Sequence, residues 1–557
     1  MPTAYTWPTF DYRRPAELDA PATVTRHPVI VVGAGPVGLS CAIDLAQRGQ
    51  PVLLLDEDDT VSTGSRGLCY AQRTLQILDR QGCGDAVVDK GVTWNVGRTF
   101  VDTEEVFRFD LCPEPGHERP GMVNLQQYWL EDFQIARARE LPALQTRFRH
   151  RVVAVRPEGR GATLEVETPD GRYTLACDWL VVCDGARSPI RRLLGLDIEG
   201  RVFQDRFLIA DVRMAADFPA ERWFWFDPPF HRGQSVLLHR QADGIWRIDF
   251  QLGWDADPEA EKRPERVIPR IQALLGDARP FELEWVSVYT FQCRRMARFR
   301  HGPVLFAGDA AHQVSPFGAR GANSGIQDAD NLGWKLAAVI AGAAPDRLLD
   351  SYSDERAAAA DENLLNSTRS TDFITPKSAT SRLLRQAVLG LAREHAFARA
   401  LVNSGRLSVP ATLAGSVLNT PDAPDAGFGG WMVPGAPADD APLRRAADGQ
   451  PQWLLRGLAG TGFTLLVYGE HMPEALQATA TALPLTVRQI LPADADAAAR
   501  AAAEQAWVDA EGLYARRYDA RPGTVHLIRP DQHVAARWRT CDAAAVQRAV
   551  QRALCLH

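Results

Sequence analysis

The 557-residue sequence contains no apolar run long enough to span a bilayer, no Cys-x-x-Cys, no cysteine and histidine at metal-ligand spacing, no basic block and no internal repeat. Without the apolar run, a membrane-spanning helix is excluded. The N-terminus, polar and rich in proline, lacks the apolar core of a signal peptide, so a cytoplasmic protein is expected. A formal net charge of −7 with no basic block argues against nucleic acid or an anionic membrane as a partner. The nine cysteines, at 41, 69, 83, 112, 177, 183, 293, 541 and 555, are odd in number and scattered. In a reducing compartment they read as buried thiols, so neither a metal nor a disulfide is expected.

What is present is ordinary in bulk and specific in detail. Apolar content of 46% and charged content of 24% suit a soluble globular chain with two or three domains. Val29–Val32, Pro36–Arg48 closed by Gly49, and Val52–Leu55 ending in Asp56 form a strand–helix–strand unit. Its turn reads Gly33-Ala34-Gly35-Pro36-Val37-Gly38. Gly33 permits the tight turn, Gly35 lets a phosphate approach backbone N–H groups, and Gly38 lets the helix pack on the strand. Asp56, about twenty residues on, is placed to accept ribose hydroxyls. That describes a dinucleotide site without choosing between FAD and NAD.

Further strands are expected at Val152–Val155, Thr163–Thr168 and Leu180–Cys183. Between about 200 and 285, the aromatic, alternating stretches Trp223–Phe226, Ser235–Arg240 and Trp246–Leu252 indicate an inserted antiparallel sheet. Val304–Ala307 returns to the parallel sheet, and 345–415 read as amphipathic helices. A Pro/Gly/Ala/Asp-rich linker is expected at 418–443, followed by a separate domain at 444–557. That domain includes a hairpin, Thr524–Arg529 to His533–Trp538, turning through Pro530-Asp531-Gln532.

The second chemical motif follows Val304–Ala307. Gly308-Asp309 ends the strand, and Pro316-Phe317-Gly318-Ala319-Arg320-Gly321-Ala322-Asn323 leads into a helix with Ile326, Ala329, Gly333, Leu336 and Ile340 on its apolar face. A carboxylate at a strand end and a helix N-terminus suit a sugar chain and a reduced, anionic ring. A third motif, Asp184-Gly185-Ala186-Arg187-Ser188-Pro189-Ile190-Arg191, reads in isolation as a turn.

In this order the three motifs resemble those of the class A flavoprotein aromatic hydroxylases, the group of para-hydroxybenzoate and phenol hydroxylases, over about residues 25–370. The hydroxyphenylpropionate hydroxylase-like members are the nearest in pattern. The tail around Leu527–Asp531 resembles the thioredoxin-like C-terminal domain of the phenol hydroxylase branch, here without a CxxC. The resemblance implies an α/β fold. A Rossmann-like FAD-binding domain occupies 25–200 and 285–415. An antiparallel substrate domain at 200–285, with part of 97–124, is inserted in it, and the thioredoxin-like domain follows.

It also implies that Gly33, Gly35, Pro36, Gly38, Asp56 and Glu57 hold the AMP half of FAD. Arg66 and Gln126 would lie on the phosphates and ribityl chain. Asp184 would link FAD to a transient NADPH or NADH, Gly308 and Asp309 would meet the ribityl-pyrophosphate, and Gly321, Ala322 and Asn323 would underlie the pyrimidine. Pro316 would place its carbonyl near the reactive face. Ala319-Arg320-Gly321 departs from the family's Gly-Gln-Gly, setting a charge at Arg320 whose target, flavin or solvent, stays open.

By the same resemblance, NAD(P)H and O2 would support hydroxylation of a phenolic substrate ortho to its hydroxyl through a C4a-hydroperoxyflavin, in a homodimer. Such chemistry needs a dry pocket and a group that ionises the phenol. On the inserted sheet, Arg247, Asp249 and Gln251 share one face and His239 lies on the neighbouring strand. His239, Arg247 and Asp249, with Tyr289 and Pro316, are the candidate catalytic residues, His231 is a weaker one, and solvent exposure of the face is the alternative. His312 reads as structural. Two other readings stay open: a flavin-dependent reductase or oxygenase for a larger alkene or polyketide, and a non-catalytic flavin-binding protein.

Overall fold

Four consecutive fully buried residues in each of the stretches Val29–Val32 and Val52–Leu55 place two strands in the middle of a covered sheet. The computed structural model describes residues 5–20, 23–276, 279–402, 407–460 and 462–556. Its first sheet has a parallel core ordered Val304–Phe306, Gly171–Val182, Thr25–Val32, Val52–Leu55 and Leu144–Arg147. Arg151–Glu158 and Gly161–Thr168 extend it antiparallel. Parallel strands carry apolar residues on both faces because helices cover both.

The helix Pro36–Gln47 begins with proline, whose missing N–H is unneeded there, and is closed by Gly49 at φ +77°. It packs against Gly321–Ile340 at glycine-only distance. A Cβ on Gly333 would lie 1.9 Å from Asp44 Oδ2, and one on Gly325 2.5 Å from Val37 Cγ2. The two helices are thereby fixed to each other.

The second sheet runs in the order His312–Gln313, Phe281–Arg295, Glu199–Met214, Ile245–Leu252, Ser235–Arg240, Arg222–Phe226, Val96–Val101 and Glu104–Asp110. It is wider than the stretch expected from aromatic alternation. Glu199–Met214 and Phe281–Arg295, its two longest strands, carry many charged side chains and give little apolar signal. One face packs Trp246, Ile248 and Phe250 against Val267 and Ile271 of the helix Pro264–Leu275. The other face turns inward.

A third sheet, of seven mixed strands, includes the parallel pair Phe463–Tyr468 and Leu485–Leu491 and the antiparallel hairpin Val525–Ile528 with Val534–Trp538. The helix Ala543–Ala553 covers it with Val546, Ala549 and Val550. Its core is continuous with Trp334 and Leu348 of the first domain.

The helices expected over 345–415 are Leu348–Ile374, Ala379–Ala392 and Ala396–Val402. Residues 403–406 lie outside the described residues, and 407–415 form no helix. No helix among the described residues is long and apolar enough to cross a membrane.

Candidate functional site

The glycines of the first turn have three different surroundings. A Cβ on Gly33, at φ +104°, would lie 2.4 Å from the Cys183 carbonyl oxygen, and one on Gly38 1.8 Å from that of Gly33. At Gly35 the only neighbour is Glu131 Oε1 at 4.0 Å, so the backbone there borders open space at the start of a helix. Asp56 accepts from the N–H groups of Ala34 and of Asp58, the latter at 2.8 Å. Burial pushes its pKa up to about 6 despite these bonds. Glu57, beside it, is exposed.

From this turn a line of unanswered acceptors marks out a candidate groove along the sheet's carboxyl edge. Asp184 takes the Ile190 N–H at 3.0 Å through Oδ2, while its Oδ1 is buried without a partner. Gln126 donates to the Ala242 carbonyl at 3.1 Å, and its Oε1 is likewise buried and unmet. The Asp309 carboxylate reaches solvent, yet surrounding protein crowds it enough to raise its pKa, with His312 opposing. A carboxylate that is both accessible and crowded lies in a cleft. Behind it, His312 bonds Asp328 at 2.6 Å and stacks on Phe299, a buried structural contact.

The groove ends at a tight loop. Gly318 and Ala319 both have positive φ, +104° and +52°, and Ala319 N–H returns to the Pro316 carbonyl at 3.1 Å. Pro316 is exposed, while Phe317 is buried. Gly321 and Ala322 open the 20-residue helix with free N–H groups. Asn323 is occupied: it accepts from Ala71 N–H at 2.8 Å and donates to the Cys69 and Ala319 carbonyls. Its side chain is a brace, leaving the backbone of the first turn to meet a ligand. Arg320 is buried and donates to Asn363 Oδ1 at 2.9 Å, so it does not point to solvent.

The polar face of the second sheet is buried as well. Asp211, Arg247, His239 and Arg222 are direct cross-strand neighbours in one row, and Ile209, Asp249, Leu237 and Phe224 form the next. Arg247 is held on two sides. Its Nε bonds Asp211 at 2.9 Å and its Nη2 bonds the Ser65 carbonyl, while Ser65 Oγ and Gln241 complete the ring back to Asp211. This ties the loop carrying Arg66 down onto the sheet, where a Cβ on Gly64 would strike Trp285 at 2.3 Å. Arg66 itself is exposed.

Asp249 has one buried, unpartnered oxygen, and burial pushes its pKa up to about 6. His239 is held well below its usual range by burial and by Arg222 and Arg247, so it is neutral, 3.5 Å from the Asn124 amide. The Tyr289 phenol is raised by burial, with Arg247 and Arg66 pulling the other way. Gln251 accepts Ser235 N–H at 3.0 Å and serves the sheet. His231 bonds the Gln251 carbonyl at 2.7 Å, a strand-end contact.

Beside this charged row lies an aromatic cluster: Phe207, Phe224, Phe291 and Phe317, with Tyr289 and Leu237. Phe317, from the glycine loop, meets Phe207 and Phe291 edge-on at 5.0 and 5.1 Å. The loop and the sheet therefore share one apolar lining. Sequence reading missed Arg222, which opens a strand taken to begin at Trp223. It also missed Asp211, which lies in a strand of weak apolar signal. Only the cross-strand register brings these two into the row.

The FAD binding domain family matches residues 26–367. The 6-methylpretetramide 4-monooxygenase of Streptomyces rimosus is 31% identical over 94% of this chain and 92% of its own. The 3-(3-hydroxy-phenyl)propionate/3-hydroxycinnamic acid hydroxylase of Mycolicibacterium smegmatis is 28% identical over 91% and 90%. Among solved structures, the flavin-dependent monooxygenase PieE, in complex with FAD and substrate, superimposes with a TM-score of 0.80 at 23% identity, covering 96% of this chain and 99% of that one.

Proposed function

Since the chain belongs to the FAD binding domain family, the class A flavin aromatic hydroxylases, and is an FAD-dependent monooxygenase, we propose that it hydroxylates a phenolic ring, ortho to the hydroxyl, with NADH or NADPH as reductant. The observation that carries this reading is the aromatic cluster beside Asp249, a half-buried carboxylate with one buried oxygen that has no partner among the described residues.

The groove suits an extended FAD. Gly33, Gly35, Pro36 and Gly38 would take its pyrophosphate, and Asp56, with Glu57 near, its ribose. The unmet oxygens of Asp184 and Gln126 and the cleft carboxylate of Asp309 would accept hydroxyls of the linking chain. The exposed Arg66 would lie by the phosphates or ring. Gly308 turns the strand end at φ +61°, and the N–H groups of Gly321 and Ala322 would meet the ring's anionic edge. When bound, the flavin supplies electron transfer from NAD(P)H and activation of dioxygen.

The protein's own task is to hold the ring, exclude water and take a proton. The cluster of Phe207, Phe224, Phe291 and Phe317 would pack against an aromatic ring and help to keep water from it. Asp249, ionised above about pH 6, accepts the phenolic proton at its free oxygen. His239, neutral, offers a second hydrogen bond, and Tyr289 and the Pro316 carbonyl border the ring. Arg247 acts through the Ser65 clamp, positioning the Arg66 loop.

The test is oxidation of NADH and NADPH by the FAD-loaded protein with a panel of phenols. Phenol-stimulated oxygen uptake yielding an ortho-diol is expected; nicotinamide oxidation without oxygen uptake, or none with FAD bound, overturns the reading. The near full-length match to the 6-methylpretetramide enzyme favours including polycyclic phenols of polyketide type in that panel.

A further inference from the structure

Arg222, half-buried, is the one member of the charged row without a hydrogen-bond or ion-pair partner among the described residues. Elsewhere in the same sheet every arginine that is not exposed is occupied. Arg98 bonds Glu221 and Glu105, Arg213 bonds Glu284, Arg247 bonds Asp211, and Arg206 bonds the Ala256 carbonyl. Among the described residues Arg222 has no hydrogen-bond or ion-pair partner. Its guanidinium only lies over the Phe224 ring, 5.4 Å from the centroid. A guanidinium is costly to hold away from bulk water without an acceptor, so such groups are normally paired.

Its place in the sheet says where the missing acceptor comes from. Arg222 is directly opposite His239 on one side and Gly97 on the other, so it shares the inward face with His239 and Arg247. Gly97 has no side chain and is overlaid by the Phe109 ring, where a Cβ would come within 2.2 Å. That ring walls the outer side. Toward the groove stands Cys69, whose thiol feels the charges of both Arg222 and Arg247 and whose carbonyl takes the Asn323 amide at the root of the flavin-side helix. Asp249 lies in the adjacent row but outside ion-pair distance. Arg222 thus borders the aromatic lining on the side away from Tyr289, partly open to solvent through the groove.

We propose that Arg222 is the specificity-determining residue of this site, binding an anionic oxygen of the aromatic substrate, either a side-chain carboxylate or the phenolate itself. The inference rests on the monooxygenase reading and deepens it. A planar fork that stacks on Phe224 can present two parallel N–H groups to either oxyanion. His239, kept neutral, adds no competing charge.

The test uses FAD-loaded wild type, Arg222→Met and Arg222→Lys, with flavin absorbance reporting binding. In one arm a hydroxyphenyl carboxylic acid is compared with its primary amide. In the other, 4-nitrophenol is bound, and its visible absorbance reports how much is ionised in the complex. Arg222→Met is expected to weaken the carboxylate, or to suppress ionisation of bound nitrophenol, by about tenfold or more, as loss of a charged hydrogen bond predicts. The amide should hold within about threefold on the same scale, and Arg222→Lys should recover part of the loss. The arm that responds identifies the oxyanion. Equal loss of acid and amide, or no change in either arm, overturns the assignment while leaving the monooxygenase reading intact. Wild type that binds no phenol and consumes no oxygen overturns both.

Discussion

Asp249→Asn should lower catalysis and raise stability at once. Burial lifts the Asp249 pKa from 3.8 to about 6, against the pull of Arg247 and Arg222. About two units at about 1.4 kcal/mol each mean that ionising this group in the folded protein costs about 3 kcal/mol. The unfolded carboxyl ionises near pH 4 and the folded one only near 6. Between those values the folded chain carries the extra proton, so stability falls as pH rises and then levels off. Asparagine removes that penalty. At pH 8 the variant should melt above wild type, and at pH 4 the two should nearly coincide.

The rate follows the opposite sign. With FAD in excess, so that Asp56 at the nucleotide end does not enter, wild-type kcat/KM should rise about tenfold per pH unit below about pH 6 and then plateau. In Asp249→Asn that limb should vanish and the plateau should drop by about 10²–10⁴. The other groups facing this carboxyl do not supply such a limb. Arg222 and Arg247 stay charged, Asp211 is locked to Arg247, His239 is held neutral, and burial lifts both Cys69 and Tyr289. A limb near pH 6 that survives the substitution, or a variant less stable at pH 8, refutes the reasoning.

Asp309→Ala should purify largely without FAD, measured by the flavin-to-protein absorbance ratio; a fully yellow variant removes its assigned role. Arg247→Met should strand Asp211 and free the Ser65 loop, costing about 3–5 kcal/mol, with most of the loss recovered in Arg247→Met/Asp211→Leu. Denaturation midpoints that show no such recovery contradict the clamp. His239→Ala should raise the substrate KM while retaining flavin, and wild-type kinetics would remove it from the site. Arg529→Met should leave Glu355 and Asp531 buried with reduced pairing, also costing about 3–5 kcal/mol, seen as an earlier unfolding transition with loss of flavin fluorescence quenching.

The first glycine turn was legible because its geometry is local. Gly33, Gly35, Gly38 and Asp56 lie within one strand–helix–strand unit, and each glycine has a backbone reason that spacing alone reveals. Strands such as Val52–Leu55 and Ser235–Arg240 were readable because their side-chain pattern is set by one sheet with covered faces. The substrate face was legible only in part. Alternation put Arg247, Asp249 and Gln251 on one side, but it could not say that this side is buried, since polar alternation looks the same against solvent or a ligand. Nor could it separate the three. Arg247 is taken up by Asp211 and Ser65, Gln251 by Ser235, and Asp249 alone keeps a free oxygen. Those differences depend on partners distant in sequence, as does the place of Arg222 beside His239.

The same non-local logic gives the C-terminal unit a role that its lack of a CxxC leaves room for. The turn at Asp531 and Gln532 inserts into the FAD domain, where Arg529 bonds Glu355 at 2.7 Å and Asp531 at 2.6 Å. Glu355 also takes Lys335 at 2.6 Å, and Asn331 bridges to Asp531 at 3.1 Å. Burial pulls Lys335 down to about 8, while Arg529 and Lys335 outweigh burial at Glu355 and hold it ionised. Arg73 donates to the Asp531 carbonyl at 2.6 Å and faces Asp330. Asn331 and Lys335 belong to the helix whose first turn begins at Gly321 and Ala322, the residues proposed to meet the flavin ring. Asp328, on the same helix, is fixed by His312 and Arg356 behind Asp309. One helix thus carries the open first turn at its N-terminus and meets the C-terminal hairpin along its flank. Buried charge pairs add little net stability but strongly disfavour any other docking, because a shift of one residue strands several ions. The C-terminal unit therefore acts as a brace that fixes the register of this helix, and, if its first turn holds the flavin as proposed, disturbing the hairpin turn should be read first in the flavin.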